Sequence, residues 1–131
     1  MDDKCCANFQ AAVDEYLIRH RSVMDVLTKY QEATARVNRA FAKAVTECGC
    51  VEIKAGRQHL PPLAQYSVLR RFVSSHVSGQ PCEHCKEVLT SELGRSFFYM
   101  AALCNLAGLK MDDVLEQECK NINTLGVFHL S

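Results

Sequence analysis

Two closely spaced cysteine pairs carry the clearest chemical signal in this 131-residue chain. Cys48 and Cys50 flank a glycine, and Cys82 and Cys85 are separated by two residues. Zinc takes four soft ligands in a tetrahedron, and thiolate pairs on turns are spaced suitably to bind it. The first pair follows a predicted helix and the second begins one, so a shared ion would fasten the segment between them. We therefore predict a structural zinc site, which four thiolates would leave without an open coordination position.

Two other interpretations of these four cysteines stay open. The thiols could remain without a metal, or they could switch by oxidation and make the chain a thiol-based redox or metal sensor. His84 stands between two predicted ligands and is interpreted as a bystander. Cys104 and Cys119 fall on predicted apolar helix faces and are expected in the core. The adjacent Cys5 and Cys6 are expected to be plain thiols, because neighbouring side chains diverge on a helix.

The length and the charge balance limit the class of protein. The chain is predicted to form one helical domain, 1–131, with a cysteine-bearing insert at about 48–85. Lys and Arg together number 15, as do Asp and Glu, so a general nucleic-acid binder is not expected. The N-terminus lacks the apolar region of a secretory signal, and the longest apolar run, 97–109, is too short to span a bilayer. We expect a cytoplasmic protein without membrane contact, in which the thiols stay reduced or bind metal.

Helical patterns cover most of the chain and predict an all-α fold, an antiparallel bundle of four to five helices. Residues 9–47 contain neither Pro nor Gly, and Ser22 and Asp25 form a capping box that starts a second helix. The polar residues of that helix, among them Arg36, are predicted to face solvent. Its apolar and small residues alternate in steps of four and three, the heptad spacing of lengthwise packing. The members of this seam are Val23, Leu27, Tyr30, Thr34, Val37, Phe41 and Ala44.

The second half of the chain is predicted to hold a short strand at 51–55, a short helix within 63–75, a loop at 76–81 and two longer helices. Gly94 lies inside the first of these longer helices and predicts a neighbour that packs very close. The apolar tail, 125–131, is expected to dock against the body or a second subunit. The predicted core residues of the two helices are Leu89, Leu93, Phe97, Met100, Leu103, Cys104, Ala107, Val114, Leu115, Cys119 and Ile122.

Three motifs together resemble a known family. Glu92-Leu-Gly-Arg95 opens an apolar helix, Gly-Leu-Lys-Met-Asp-Asp-Val-Leu follows at 108–115, and the segment 30–40 is similar to a Glu-x-x-Glu helix. In this order they resemble the all-α nucleoside triphosphate pyrophosphohydrolases of the MazG-like class, whose motif is Glu-Leu-Gly-Asp. The resemblance covers about 22–47 and 86–122, and it does not explain the cysteine-bearing insert.

The resemblance implies a site where four carboxylates, two from each helix, hold magnesium against a triphosphate. Glu32 and Glu92 match the first acid of each pair. Ala35 and Arg95 stand where the second acids belong. An arginine facing the two glutamates would pair with them and occupy the space of the metal. We therefore predict a non-catalytic MazG-like helical module that binds a partner or a nucleotide.

The alternative is a magnesium-dependent nucleoside triphosphate pyrophosphohydrolase with rearranged metal ligands. Its candidate catalytic residues are Glu32, Glu92 and Arg95. MazG-like chains assemble through these helices, so the resemblance also implies a homo-oligomer, and we expect a dimer. The acids that could supply replacement ligands are Glu87, Asp112 and Asp113.

Overall fold

The computed structural model describes residues 4–62 and 65–126, and most of these residues are helical. This confirms the predicted helical character and adds a small sheet to it. A single π-helical turn, Ala44–Cys48, extends the second helix. The elements are α1 Cys5–Tyr16, α2 Val23–Lys43, β1 Val51–Ile53, α3 Tyr66–Leu69, β2 Val77–Gly79, α4 Glu83–Ala107 and α5 Met111–Leu125.

The break between α1 and α2 lies where the capping residue predicted it. The Ser22 hydroxyl accepts a hydrogen bond from the backbone N–H of Met24 at 3.3 Å, which satisfies one of the free donors at the start of α2. On the other side of the break, Arg21 donates to the carbonyls of Asp14 and Leu17 at 2.9 and 2.7 Å. The loop is therefore tied to the end of α1 as well as to the start of α2.

The contact between α2 and α4 is the most extensive one in the described fold. Arg36 of α2 meets Glu92 of α4, and Cys48, beyond the end of α2, meets Cys82 at the start of α4, so the helices run antiparallel. Small buried side chains let two helices approach closely. The buried residues of these two helices beyond the cysteines are Val26, Ala33, Ala40, Ser96, Ala101 and Ala102.

The buried stripe of α2 lies beside the predicted heptad seam. Val26 is fully buried, whereas the seam residues Val23 and Leu27 are each 48% exposed. The prediction placed the larger apolar side chains in the helix contact, but the buried face is the one that carries Ala33 and Ala40. The rest of the seam borders the contact: Tyr30, Thr34, Val37 and Phe41 are partly buried, and Ala44 is buried.

The predicted core of α4 is only partly right. Leu93 and Phe97, predicted to be buried, are 42% and 49% exposed, and Ala107 is exposed as well. The close neighbour predicted for Gly94 is wrong, because a Cβ built there would have no heavy atom within 4 Å apart from the adjoining backbone of α4. The confirmed or partly confirmed members are Leu89, Met100, Leu103 and Cys104.

Helix α5 is held at its first turn rather than along its length. Gln10 of α1 donates to the Asn105 side chain and to the Leu109 carbonyl, both at 2.8 Å, and accepts from the backbone N–H of Met111 at 2.8 Å. Met111 is buried, and Gly108 makes the left-handed turn before it. The predicted core face of α5 is wrong, because its four residues, Val114, Leu115, Cys119 and Ile122, are all exposed or nearly so.

A two-stranded antiparallel sheet lies between α2 and α4 in sequence. Val51 pairs with Gly79, and Ile53 pairs with Val77. The strand predicted at 51–55 is therefore confirmed over three residues, but the loop predicted at 76–81 contains the second strand. The fully buried Val51 joins Ala44 and Cys85 in a small core that anchors the sheet.

The helix predicted within 63–75 is shorter than expected. Only Tyr66–Leu69 is helical, a turn follows it, and residues 63 and 64 lie outside the described part of the chain. Most of the predicted docking tail, 127–131, lies outside it too. No helix within 4–62 and 65–126 is long and apolar enough to cross a membrane.

The packing of α2 gives a matched pair of variants. We expect Val26→Ala to lower the free energy of unfolding by about 2 kcal/mol, because it removes two buried carbons and leaves a cavity. Val23→Ala, on the same helix and half exposed, should change it by no more than about 0.5 kcal/mol. Urea denaturation of both variants measures the difference, and equal effects would contradict this assignment of the buried face.

Candidate metal centre

The structure brings the four predicted ligands together. The sulfur atoms of Cys48, Cys50, Cys82 and Cys85 all lie within 4.8 Å of one another. Among the described residues they form the one group of three or more cysteine, histidine or acidic side chains placed to hold a metal ion. The Sγ atoms of Cys48 and Cys82 are 3.8 Å apart, and all four thiols are free.

These distances suit a tetrahedral metal better than a disulfide. With Zn–S bonds of about 2.3 Å, the sulfurs of a tetrahedral site lie about 3.8 Å apart. The separation of Cys48 from Cys82 already has this value, and the widest pair needs to close by about 1 Å. A disulfide would require the two sulfurs to approach to about 2.05 Å. The four cysteines are therefore placed so that they could hold a thiolate-binding ion.

The first pair is positioned by the π-helical turn that ends α2. The N–H of Gly49 donates to the Ala44 carbonyl at 2.9 Å, and Gly49 has φ +79°, a conformation that favours glycine. This turn places Cys48 and Cys50 on either side of the reversal. The Cys50 Sγ lies 3.8 Å from the Ala44 carbonyl oxygen, and β1 begins at the next residue, Val51.

The second pair uses the beginning of α4. Cys82 occupies the N-cap position, and Cys85 lies in the first turn of the helix. Interaction with the backbone N–H of Cys85 lowers the pKa of Cys82 to about 7. Burial raises the pKa of Cys85 to about 12, and hydrogen bonding to Cys50 raises the pKa of Cys48. Cys82 therefore forms a thiolate readily, whereas Cys48 and Cys85 would need a nearby cation to ionise.

The strand β2 packs closely against the backbone of Cys50. Gly79 has φ +85°, and a Cβ built there would lie 2.7 Å from the carbonyl oxygen of Cys50. Only glycine allows β2 to approach this closely. The pairing of Gly79 with Val51 then fixes the backbone that carries the first cysteine pair. No strong pattern in the sequence indicates this strand.

The other cysteines and the histidine lie outside the cluster. His84 lines a small cavity beside Cys48 and Cys85, but it does not belong to the group of four. Cys104 is buried, as predicted, whereas Cys119 is exposed, because among the residues of α5 only Met111 in the first turn is buried. Cys5 is exposed and Cys6 is partly buried, and burial together with Asp112 raises the pKa of Cys6.

The two motif glutamates have partners that the sequence did not predict. Glu92 accepts from Arg36 Nε at 3.0 Å and from its Nη2 at 3.4 Å. Glu32 pairs instead with Lys29 at 3.2 Å on the same helix. The predicted pairing with Arg95 is therefore wrong. Arg36 was expected to face solvent, and nothing in its spacing distinguishes it from Arg39, the other arginine of α2.

Magnesium does not fit the residues around Glu92. Its carboxylate is only 13% exposed and is bound on both oxygens by Arg36, which lowers the pKa of Glu92. Ala35 offers no oxygen ligand, and Arg95 adds a further positive charge. Within the described residues, Glu87, Asp112 and Asp113 are not gathered into a replacement group.

No family model matches this chain, and searches among curated proteins and solved structures found no match either. The likeness to the MazG-like class therefore stays a prediction from the sequence motifs. Inferences about function therefore rest on two groups of side chains, those of the cysteine cluster and those of the α2–α4 contact.

The Arg36–Glu92 pair makes stability depend on pH. Because the pKa of Glu92 is lower in the folded chain than in the unfolded chain, the pair stabilises the fold fully above the unfolded value of about 4.3. This stabilisation is lost as the pH falls through the folded value. A double-mutant cycle with Arg36→Gln and Glu92→Gln, measured by urea denaturation, should show favourable coupling at pH 7 that fades in acid.

The matched control is the exposed Lys29–Glu32 pair, taken through the same cycle. Both of its side chains remain accessible to water, so its coupling should be the smaller of the two at pH 7. Coupling between Arg36 and Glu92 that is absent at pH 7, or that grows on acidification, would show that this ion pair does not join the helices.

Proposed function

We propose that the protein is a non-catalytic helical binding module whose fold is fastened by a structural zinc ion. The ligands would be Cys48, Cys50, Cys82 and Cys85. The observation that carries this proposal is the convergence of their four sulfur atoms within 4.8 Å. Zinc is the metal of choice because it prefers thiolates, tolerates a tetrahedron without further ligands and undergoes no redox change.

The position of the cluster supports a structural role. It joins the end of α2, the start of α4 and the sheet, whose own core holds little more than Val51, Ala44 and Cys85. An ion bound there would replace the apolar packing that this part of the chain lacks, since metal binding adds directly to folding free energy. Four thiolates would saturate the ion and leave no position for substrate.

A relation to the MazG-like class is part of the proposal. Glu32 and Glu92, the motif acids, lie on the facing helices α2 and α4. Glu92 pairs with Arg36, and both glutamates raise the pKa of Arg36. In this chain an arginine would then stand where the class places a divalent cation. This substitution favours a module that binds its ligand without hydrolysing it.

A dimer also stays a proposal, supported by apolar side chains that no described element covers. They lie on α4 and α5, where Leu93, Phe97, Val114, Leu115 and Ile122 are between 42% and 49% exposed. Scattered apolar exposure is common on protein surfaces, so these side chains support an interface only together with the family resemblance.

Metal analysis and an activity assay on one preparation test the function. We expect about one zinc ion per chain by plasma mass spectrometry, and we expect Cys82→Ser and Cys85→Ser each to remove most of it. Cys119→Ser is the matched control, because that thiol is exposed and lies outside the cluster, and it should retain zinc. With magnesium and a panel of nucleoside triphosphates, pyrophosphate release should not exceed the blank.

Each half of the proposal has its own contrary result. A zinc-free protein in which a thiol reagent reacts at once with the exposed Cys48 and Cys82 would contradict the proposed structural zinc. Magnesium-dependent pyrophosphate release that disappears in Glu92→Gln would show instead that the chain is an enzyme. Zinc that leaves on mild oxidation and returns on reduction, with a change in assembly, would favour the sensor over the structural role.

A further inference from the structure

A cavity of about 420 Å³ opens between the end of α1, the loop that follows it and the facing sides of α2 and α4. This volume lies within the range of small-molecule sites. Its charged lining is mostly positive, with Arg19, Lys29, Arg36 and Arg95 around the single carboxylate of Glu32. The cavity lies on the α2–α4 contact, and none of its lining residues belongs to the cysteine cluster.

The positive charges of this cavity are not all neutralised. Lys29 is paired with Glu32 and Arg36 with Glu92. Arg19 and Arg95 form no ion pair within the described part of the chain. The cavity therefore has two guanidinium groups in excess, each able to bind an anion through a planar fork of N–H donors.

Aromatic rings form another wall of the same cavity. Phe98 and Tyr99 lie with their centroids 5.2 Å apart and their planes at 77°, and both line the space. Tyr16, at the end of α1, also lines it and is 71% exposed. An accessible ring beside unpaired guanidinium groups is suited to a ligand that has a planar ring and a charged group.

We propose that this cavity binds a phosphorylated aromatic compound, such as a nucleotide, directly through Arg19 and Arg95 and without a divalent cation. This names the ligand class of the binding module proposed above, and it does not depend on the zinc ion. The excess positive charge would repel magnesium, whereas it would attract the phosphate groups. Tyr16 would contact the ring of the ligand.

Isothermal titration with two probes, inorganic pyrophosphate and ATP, tests this inference in magnesium-free buffer. We expect saturable binding of both probes, with ATP bound more tightly, and weaker binding as salt rises. Adding magnesium should weaken the binding of ATP, because the ion competes with the arginines for the phosphates. Arg19→Gln and Arg95→Gln should each weaken both probes about tenfold or more, as expected for the loss of a charge-assisted contact.

Matched variants separate a built site from general charge attraction. Arg39→Gln removes an arginine of α2 that does not line this cavity, and it should leave both affinities unchanged. Tyr16→Leu should weaken ATP but not pyrophosphate. Arg95→Lys keeps the charge and loses the fork, so its affinity should fall between those of the original chain and Arg95→Gln.

Three results would overturn the inference. They are no binding of either probe, binding that requires magnesium, and an effect of Arg39→Gln as large as that of Arg95→Gln. Zinc content and helical circular dichroism, measured on every variant, show whether a loss reflects misfolding, and a misfolded Arg95→Gln leaves Arg95→Lys and Arg19→Gln to decide. A preparation with full zinc and no anion binding would reject this inference and leave the structural metal untouched.

Discussion

The close contact of α2 with α4 determines where every chemical group of this molecule lies. Small buried residues such as Ala33, Ala40 and Ser96 let the two helices run side by side. Groups on the flanks of the contact are then forced to meet. The cysteines meet at one end, Arg36 meets Glu92 in the middle, and the cationic cavity lies towards the other end. The helix pair thus separates the cysteine cluster from the cationic cavity along a single contact.

The two sites use opposite electrostatics. The cysteine cluster gathers groups that become negative when ionised, and it favours a cation because neighbouring thiolates repel one another. The cavity gathers guanidinium groups, two of which have no described ion-pair partner, and it favours an anion. The Arg36–Glu92 pair lies at the edge of the cavity, where Arg36 donates to both carboxylate oxygens of Glu92.

Local signals in the sequence predicted the features that depend on short spacing. The four cysteines were identified by two motifs, and the start of α2 was identified by Ser22. Features that depend on distant residues were missed. The strand Val77–Gly79 forms because it pairs with β1. Glu92 forms its ion pair with Arg36 on the facing helix rather than with Arg95 on its own helix. The exposed face of α5 could not be predicted either, because amphipathic spacing says that a face is apolar without saying that anything covers it.

The π-helical turn at Ala44–Cys48 separates the orientation of the first cysteine pair from the packing of α2 on α4. It accommodates one residue more per turn than an α-helix, so it rotates the backbone that follows it relative to the face of α2 that packs on α4. The orientation of Cys48 is therefore set independently of the orientation of Ala40. Loss of a single residue from this turn would leave the helix interface in place. The Cys48 sulfur would then turn away by about a quarter of a revolution, because each residue of a helix adds about 100°.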